Sequence, residues 1–408
     1  MIKKIRSLLN LMKKQGTDRI LYVATLFLCG FGIIMIGDVC VGMTSTHGSG
    51  YATINIIKQA IFVVAGLFAM LVVAGGYKKK WYNERNFYIF YAFILLLMGI
   101  CRMWTINSSH AWIILGPITI QPAEFMKVIL IILLSYNLGY LPLKYSKEYY
   151  INRSEESTYQ QIRFTNCIAI PAGLAFLAFG VCAIWQKDLG SALIILFISY
   201  MVFLATPGTY FKRFKRYTVY VIGALIVLAV PLSLLLKPHQ LARIISWLRP
   251  LDDIYGTSYQ LVNGFVAFSN GGLFGLGFGN SHMKFGFIPE AQNDFISAII
   301  VEELGLIGYA LILIPYAAII FKLFRYAFKV QETHEKLILI GIASYFFAHL
   351  FVNIGGVSGL IPMTGVPLLL ISAGGTSTIA ALMSIGLAQG IISKYNRHKM
   401  KEEIENQL

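Results

Sequence analysis

Ten long apolar blocks alternate with polar gaps along the chain. They run at approximately 20–37, 54–76, 87–104, 122–141, 165–185, 189–206, 217–236, 296–321, 337–358 and 366–393. Each approaches or exceeds the length of about 20 residues that crosses a hydrocarbon core about 30 Å thick. Lipid supplies no hydrogen-bond partners, so only helices and closed barrels can span it. Barrel strands would show short segments alternating between apolar and polar residues, whereas these blocks are continuously apolar. The pattern therefore predicts an all-α polytopic membrane protein with about ten transmembrane helices.

Lys and Arg in alternate gaps set the orientation. The gaps on the N-terminal side hold 26 of them. The opposite side holds six: Arg102, Lys187, Lys237, Arg243, Arg249 and Lys284. Lys58 and Lys127 lie within predicted helices and complete the total of 34. This asymmetry places both termini in the cytoplasm. It divides the chain into a basic amphipathic segment (1–19), a transmembrane domain (20–394) and a cytoplasmic tail (395–408). The largest gap, 237–295, is an extracellular loop between the seventh and eighth helices. It is rich in glycine and aromatic residues, unlike a disordered linker, and ordered loops of this length are usually functional. The shorter outer gap 105–121 carries Trp112-Ile113-Ile114-Leu115, expected to dip into the membrane interface. No short internal repeat is evident, nor a pair of broken helices like those in transporters built from inverted repeats.

Composition agrees: 57% of the 408 residues are apolar and 13% charged, about half the charged share of a soluble domain. The net charge of +15 does not indicate nucleic acid, because the basic residues form no single patch and fall between apolar blocks. Their natural partner is the anionic inner leaflet. Cys29, Cys40, Cys101, Cys167 and Cys182 have no ligand spacing and read as small core residues. No cleavable signal peptide is expected from the basic start; Lys3 to Lys14 reads as a segment lying on the inner surface.

Charged groups inside apolar helices are the candidates for chemistry, since each costs roughly 2.5–3.5 kcal/mol to insert. Glu124 and Lys127 share a face at the start of the fourth helix, after Gln121-Pro122. They form either a structural ion pair or one wall of a polar cavity for an anion. Lys58 reads as a snorkelling or structural residue. In Gln186-Lys187-Asp188-Leu189-Gly190, a very short outer turn, Asp188 is placed to cap a helix. Pro289 fits the first turn of a helix that brings Glu290 and Asp294 to one face at the membrane boundary. Glu302 and Glu303 then follow about 12 Å deeper. The run Gly271-Gly272-Leu273-Phe274-Gly275-Leu276-Gly277-Phe278-Gly279 lacks the context of a dinucleotide loop and reads as tight turns and close helix contacts. Phosphate cradling is the minor reading of that run. His110 and His349 have no metal-ligand spacing, and His349 reads as a hydrogen-bonded core residue. No Ser-His-Asp set or HExxH motif occurs.

Together these segments resemble the SEDS family of membrane glycosyltransferases (FtsW, RodA, SpoVE) over nearly the whole spanning region. The residues that carry the resemblance begin with Ile120-Gln121-Pro122-Ala123-Glu124-Phe125-Met126-Lys127, Asp188-Leu189-Gly190 and Tyr259-Gln260. They continue through Pro289-Glu290-Ala291-Gln292-Asn293-Asp294-Phe295, Glu302-Glu303-Leu304-Gly305 and Asn353-Ile354-Gly355. The last are Gly359-Leu360-Ile361-Pro362, Thr364-Gly365 and Ser372-Ala373-Gly374-Gly375-Thr376-Ser377. That final segment looks more like the division or sporulation branch than the elongation branch. Departures from the family pattern are His110-Ala111 where arginine is common, Lys187 where proline is common, and Gln292-Asn293 where His-Thr is usual.

The resemblance implies polymerisation of lipid II, an undecaprenyl-pyrophosphate-linked disaccharide-peptide, into β1,4-linked glycan strands on the outer face of the bacterial cytoplasmic membrane. It implies that Asp294 is the essential carboxylate, acting as general base. Gln121, Glu124, Lys127, Trp112, Asp188, Arg243, Lys284 and Glu290 are the expected substrate-binding residues. Lys127, Arg243 and Lys284, or a divalent cation such as Mg or Mn, would offset the pyrophosphate charge, with Glu124 holding Lys127. A class B penicillin-binding protein is the implied partner. Two rival readings use the same features: a lipid II flippase or transporter, and a catalytically silent scaffold for a penicillin-binding protein.

Overall fold

The computed structural model describes residues 16–44, 48–77, 84–106, 109–116, 118–145, 156–233 and 244–407. Helices occupy each predicted apolar block, in whole or in part. In chain order they are α1 (Arg19–Gly42), α2 (Tyr51–Gly76), α3 (Glu84–Ile100), α4 (Pro122–Ser135), α5 (Glu156–Phe164) and α6 (Ile170–Gly180). They continue with α7 (Leu189–Ala205), α8 (Thr209–Ser233), α9 (Tyr259–Gly271), α10 (Ile296–Ala327), α11 (Thr333–Val357) and α12 (Gly375–Glu405). Among the described residues eight helical stretches are long and apolar enough to cross a membrane. The blocks at 189–206 and 217–236 correspond to α7, an apolar helix of 17 residues, and to α8, whose first turns carry Lys212, Arg213, Lys215 and Arg216.

Local chemistry explains where the helices start. The Asp18 carboxylate accepts from the Leu21 amide at 3.0 Å and caps α1. Asp188 does the same for α7 through the Ser191 amide, also at 3.0 Å, and Pro122 opens α4 at the position that needs no N–H donor. α4, α11 and α12 form the buried centre, while α2, α3 and α10 turn most of their apolar surface outward. α12 lies along α2, and α10 packs on both α1 and α11. Both ends of the described chain meet on one face. The Asp18 amide donates to Gln389 at 2.9 Å, and Asn396 donates to the Gly16 carbonyl at 2.7 Å.

Three expectations need correction. The helix anticipated from Pro289 begins only at Ile296; residues 289–295 form consecutive turns, in which the Asn293 and Phe295 amides both donate to the Glu290 carbonyl. Secondly, α10 is not continuous. Gly305 at φ 70° breaks it, so Glu302 and Glu303 end a short outer helix rather than enter the long one. Thirdly, 366–374 is apolar and buried but not helical, and Leu370 there has φ 65°. Non-helical backbone at membrane depth needs partners within the protein, and side chains provide them. Asn353 donates to the Val366 carbonyl at 2.9 Å, Tyr316 donates to that of Leu369, and Ser372 Oγ accepts from the Leu368 amide at 2.8 Å. In the outer gap 105–121, Ile113–Leu115 (β1) and Ile118–Ile120 (β2) make an antiparallel hairpin, Ile113 facing Ile120. All five cysteines are free and buried.

Candidate functional site

Asp294 sits in the turns just before α10, in a narrow crevice walled by the end of α11 (Val352, Asn353, Gly356) and by Met363–Val366. Gly365, at φ 68°, lets the backbone pass close by: a Cβ built there would lie 3.7 Å from Asp294 Oδ2. Asn353 holds the turn from below. Its amide donates to the Asp294 carbonyl at 2.8 Å and its Oδ1 accepts from Ser297 Oγ at 2.7 Å. Tyr309 donates to the same Ser297 hydroxyl at 3.0 Å. The turn is tied from the side by the Ala373 amide, which donates to the Gln292 carbonyl at 2.9 Å, and by Gln292 itself, which donates to Tyr51 at 3.2 Å.

The backbone of Asp294 is thus secured, whereas its Oδ1 is buried without a hydrogen-bond partner. Desolvation by burial, reinforced by the negative charge of Glu290, pushes this carboxyl up to about 7. A carboxylate poised near neutrality exchanges a proton readily, which is what a general base needs. Glu290 accepts from Asn293 at 2.6 Å.

A second polar cluster is sealed between α4 and α11. Lys127 Nζ donates to Glu124 at 2.6 Å and lies 3.1 Å from His349 Nε2. Tyr345 donates to the other Glu124 oxygen at 3.3 Å, and His349 Nδ1 lies 3.0 Å from the Pro367 carbonyl. Glu124, Lys127, Tyr345 and His349 are all at most 1% exposed. Beside them Gln121 donates to Asp188 at 2.9 Å, tying the cap of α7 to the start of α4.

The third cluster fastens the outer loop. Lys284 Nζ donates to Asp38 at 2.7 Å, to the Gly279 carbonyl at 2.8 Å and to Glu303 at 2.8 Å. An ammonium has three donors, so Lys284 is fully committed. Burial opposes its charge, but the two carboxylates outweigh that and hold its pKa above the ordinary lysine value. Glu302 accepts from Asn270, from Ser281 Oγ and from the His282 and Met283 amides.

The FtsW/RodA/SpoVE model, described as cell cycle protein, matches residues 19–398. This chain belongs to that family. It is 31% identical over 396 residues to the probable peptidoglycan glycosyltransferase FtsW of Bacillus subtilis, covering 95% of this chain and 93% of that protein. It is 30% identical over 394 residues to stage V sporulation protein E of the same organism, covering 95% and 99%. Among solved structures its fold is shared with a chain of a peptidoglycan synthase complex (TM-score 0.69, 24% identity, 93% and 98% covered). It is also shared with the rod shape determining protein RodA of Thermus thermophilus (TM-score 0.60, 22% identity, 92% and 96% covered). Like these relatives of the bacterial cytoplasmic membrane, it is a multi-pass membrane protein.

Within this family member, the expected site residues separate into groups. Asp294 lines the crevice with Glu290 near enough for its charge to act on it, while Glu124, Lys127, Gln121 and Asp188 meet in and beside the sealed cluster. Lys284 belongs to the loop fastening instead. Trp112 is half-buried at the foot of the hairpin, next to His110, whose amide donates to the Gln186 carbonyl at 2.8 Å. Arg243 lies outside the described residues. Sequence reasoning missed Tyr345, named Asn353 only as part of the family pattern without a role, and gave His349 no link to Lys127. The signal was present: 345, 349 and 353 are spaced four apart, one polar face on an apolar helix. Asp38 was missed as well, a lone acid in the apolar α1.

Proposed function

We propose that this protein is a peptidoglycan glycosyltransferase that polymerises lipid II on the outer face of the cytoplasmic membrane, with Asp294 as general base. The observation that carries the assignment is the Asp294 carboxyl: half-buried, with Oδ1 enclosed and unpartnered, and raised to about 7 on a turn whose backbone is fixed. Asp294 takes the proton of the acceptor's GlcNAc 4-hydroxyl as that oxygen attacks the donor's anomeric carbon. The carbon–oxygen bond to the pyrophosphate breaks and the leaving group departs with the electron pair. Replacing an α-linked pyrophosphate by a β1,4 bond inverts the carbon, so one base and a stabilised leaving group suffice and no covalent intermediate is required.

In this reading Arg243 offsets the leaving-group charge, while Lys127, at 1% exposure and paired with Glu124, acts as support. Lys284 is withdrawn from that set, since all its donors are in use. Among the described residues no group of three or more His, Cys, Asp or Glu side chains is arranged to hold a metal. Mg can, however, be bound through one or two carboxylates together with substrate phosphates. Glu290 is the crevice acid that could take part in holding one, and a bound cation would supply charge for the leaving group. A class B penicillin-binding protein is the proposed partner, in keeping with the synthase complex that shares the fold.

The test supplies lipid II to the purified protein with its partner, the partner's own active site blocked. Glycan strands are expected from the wild type and none from Asp294→Ala. Equal polymer from both would remove Asp294 from the chemistry. No polymer from a folded wild-type pair would favour the silent scaffold.

A further inference from the structure

Two polar clusters mark the edges of the membrane on this molecule. On the face of the termini, Asp18 accepts from Lys322 at 3.0 Å and from Tyr326 at 3.1 Å, joining the start of α1 to the end of α10. On the opposite face Asp38 of α1 and Glu303 of α10 share Lys284. Asp18 and Asp38 are twenty residues apart, about 30 Å of helix. That span matches a hydrocarbon core about 30 Å thick.

The glycine-rich loop after α9 reaches below the outer mark. The Leu276 and Gly277 amides donate to the Glu302 and Glu303 carbonyls at 2.9 Å each. The Leu306 and Ile307 amides donate to the Gly272 and Leu273 carbonyls at 3.0 and 3.1 Å. These are the groups that the break at Gly305 deprives of helical partners, so loop and helix satisfy each other, as backbone at membrane depth requires. Gly275 and Gly305 allow the contact. A Cβ on Gly275 would stand 2.5 Å from the Gly305 nitrogen, and one on Gly305 would stand 2.5 Å from the Gly275 nitrogen. Leu273 is thereby held level with Ile307, on the far side of the Gly305 break from Glu303.

At that depth the tip exposes Leu273 (58%) and Phe274 (80%), contiguous with Leu306, Ile307, Leu311 and Ile314 on the outward face of α10. Neither 271–279 nor 304–321 contains a charged residue. We propose that Leu273 and Phe274 insert among the acyl chains of the leaflet opposite the termini, the outer one by the charge count. The loop that leads to Asp294 is then set at a fixed depth by the bilayer itself. The occupant is lipid because the patch lies inside the outer polar mark and continues a helix face that is already lipid-facing. The proposal stands independently of the role given to Asp294.

A nitroxide label at Phe274→Cys in proteoliposomes tests it, since the five native cysteines are buried. The full chain is used, with Tyr255→Cys as an outer-loop reference whose parent side chain is 92% exposed. The Phe274 label should collide with oxygen in preference to a water-soluble nickel chelate, at a ratio several-fold above the Tyr255 label. Leu273→Cys is the second site should the first variant misfold, and should give the same result. A ratio equal to that at Tyr255 would put the tip in water and overturn the proposal. Protection from both quenchers only when a partner protein is present would assign it to a protein contact instead, which also overturns it.

Discussion

The Asp294 crevice and the Glu124–Lys127–His349–Tyr345 cluster lie on the same helix face, one helical turn apart at Asn353 and His349, yet they treat charge in opposite ways. In the cluster each ionic group has a partner within 3.3 Å, so burial is tolerated and nothing is left over to react. In the crevice the backbone carries the hydrogen bonds and the carboxyl is left short of partners, its proton affinity raised toward neutrality. Burial with partners makes a fixed support; burial without them makes a reactive group.

The largest effects should come from breaking this division at its two poles. Asp294→Asn keeps the shape and removes the base, so lipid II polymerisation should fall by about 100-fold or more. Its melting temperature should hold or rise, because an unpaired buried carboxylate is lost. A parallel loss of stability and activity would make Asp294 a structural residue. Lys127→Met should do the reverse to the fold. It strands Glu124 at 1% exposure, and breaking a buried ion pair from one side costs roughly 3–5 kcal/mol. Thermal unfolding in detergent reads that loss; an unchanged midpoint would mean that the pair contributes little to the support.

The same contrast explains what could be read from the chain beforehand. Apolar blocks and the basic asymmetry revealed the helical class and most helix positions, because lipid enforces those patterns along contiguous residues. The glycine run was read as close contacts, and it does dock at Gly305. The segment 366–374 was misjudged as helix because its apolar composition reports burial alone. Its backbone partners, Asn353, Tyr316 and Ser372, are set by tertiary contacts that periodicity does not encode. Lys284 was misplaced for a related reason: a lysine in an outer loop gives no sign that Asp38, 246 positions away, awaits it.

A subtler change sharpens the account of the crevice. Glu290 raises the Asp294 carboxyl through its negative charge, second to burial. The base works only when ionised, so polymerisation should decline as pH falls through about 7. In Glu290→Gln that charge is gone, the Asp294 carboxyl becomes more acidic, and the descending limb should move to lower pH. The variant should therefore outperform the wild type in relative terms on the acidic side, with the advantage fading above neutrality. Rate–pH profiles measured with saturating lipid II decide this, and an unmoved or upward-shifted limb would refute the coupling.

The smallest effect separates capping from substrate binding at Asp188. Its carboxylate accepts from the Ser191 amide at 3.0 Å and from Gln121 at 2.9 Å, so it already serves as N-cap and as a strut between α7 and α4. Replacing an N-cap by alanine costs about 1 kcal/mol, whereas asparagine caps nearly as well as aspartate. Asp188→Ala should thus lose about 1 kcal/mol of stability with only a modest fall in polymerisation. Asp188→Asn should retain both, because a neutral amide oxygen can still accept from the Ser191 amide. Were the negative charge itself used on substrate or cation, Asp188→Asn would keep its stability and lose most of its rate. That outcome would move Asp188 out of the support and into the chemistry.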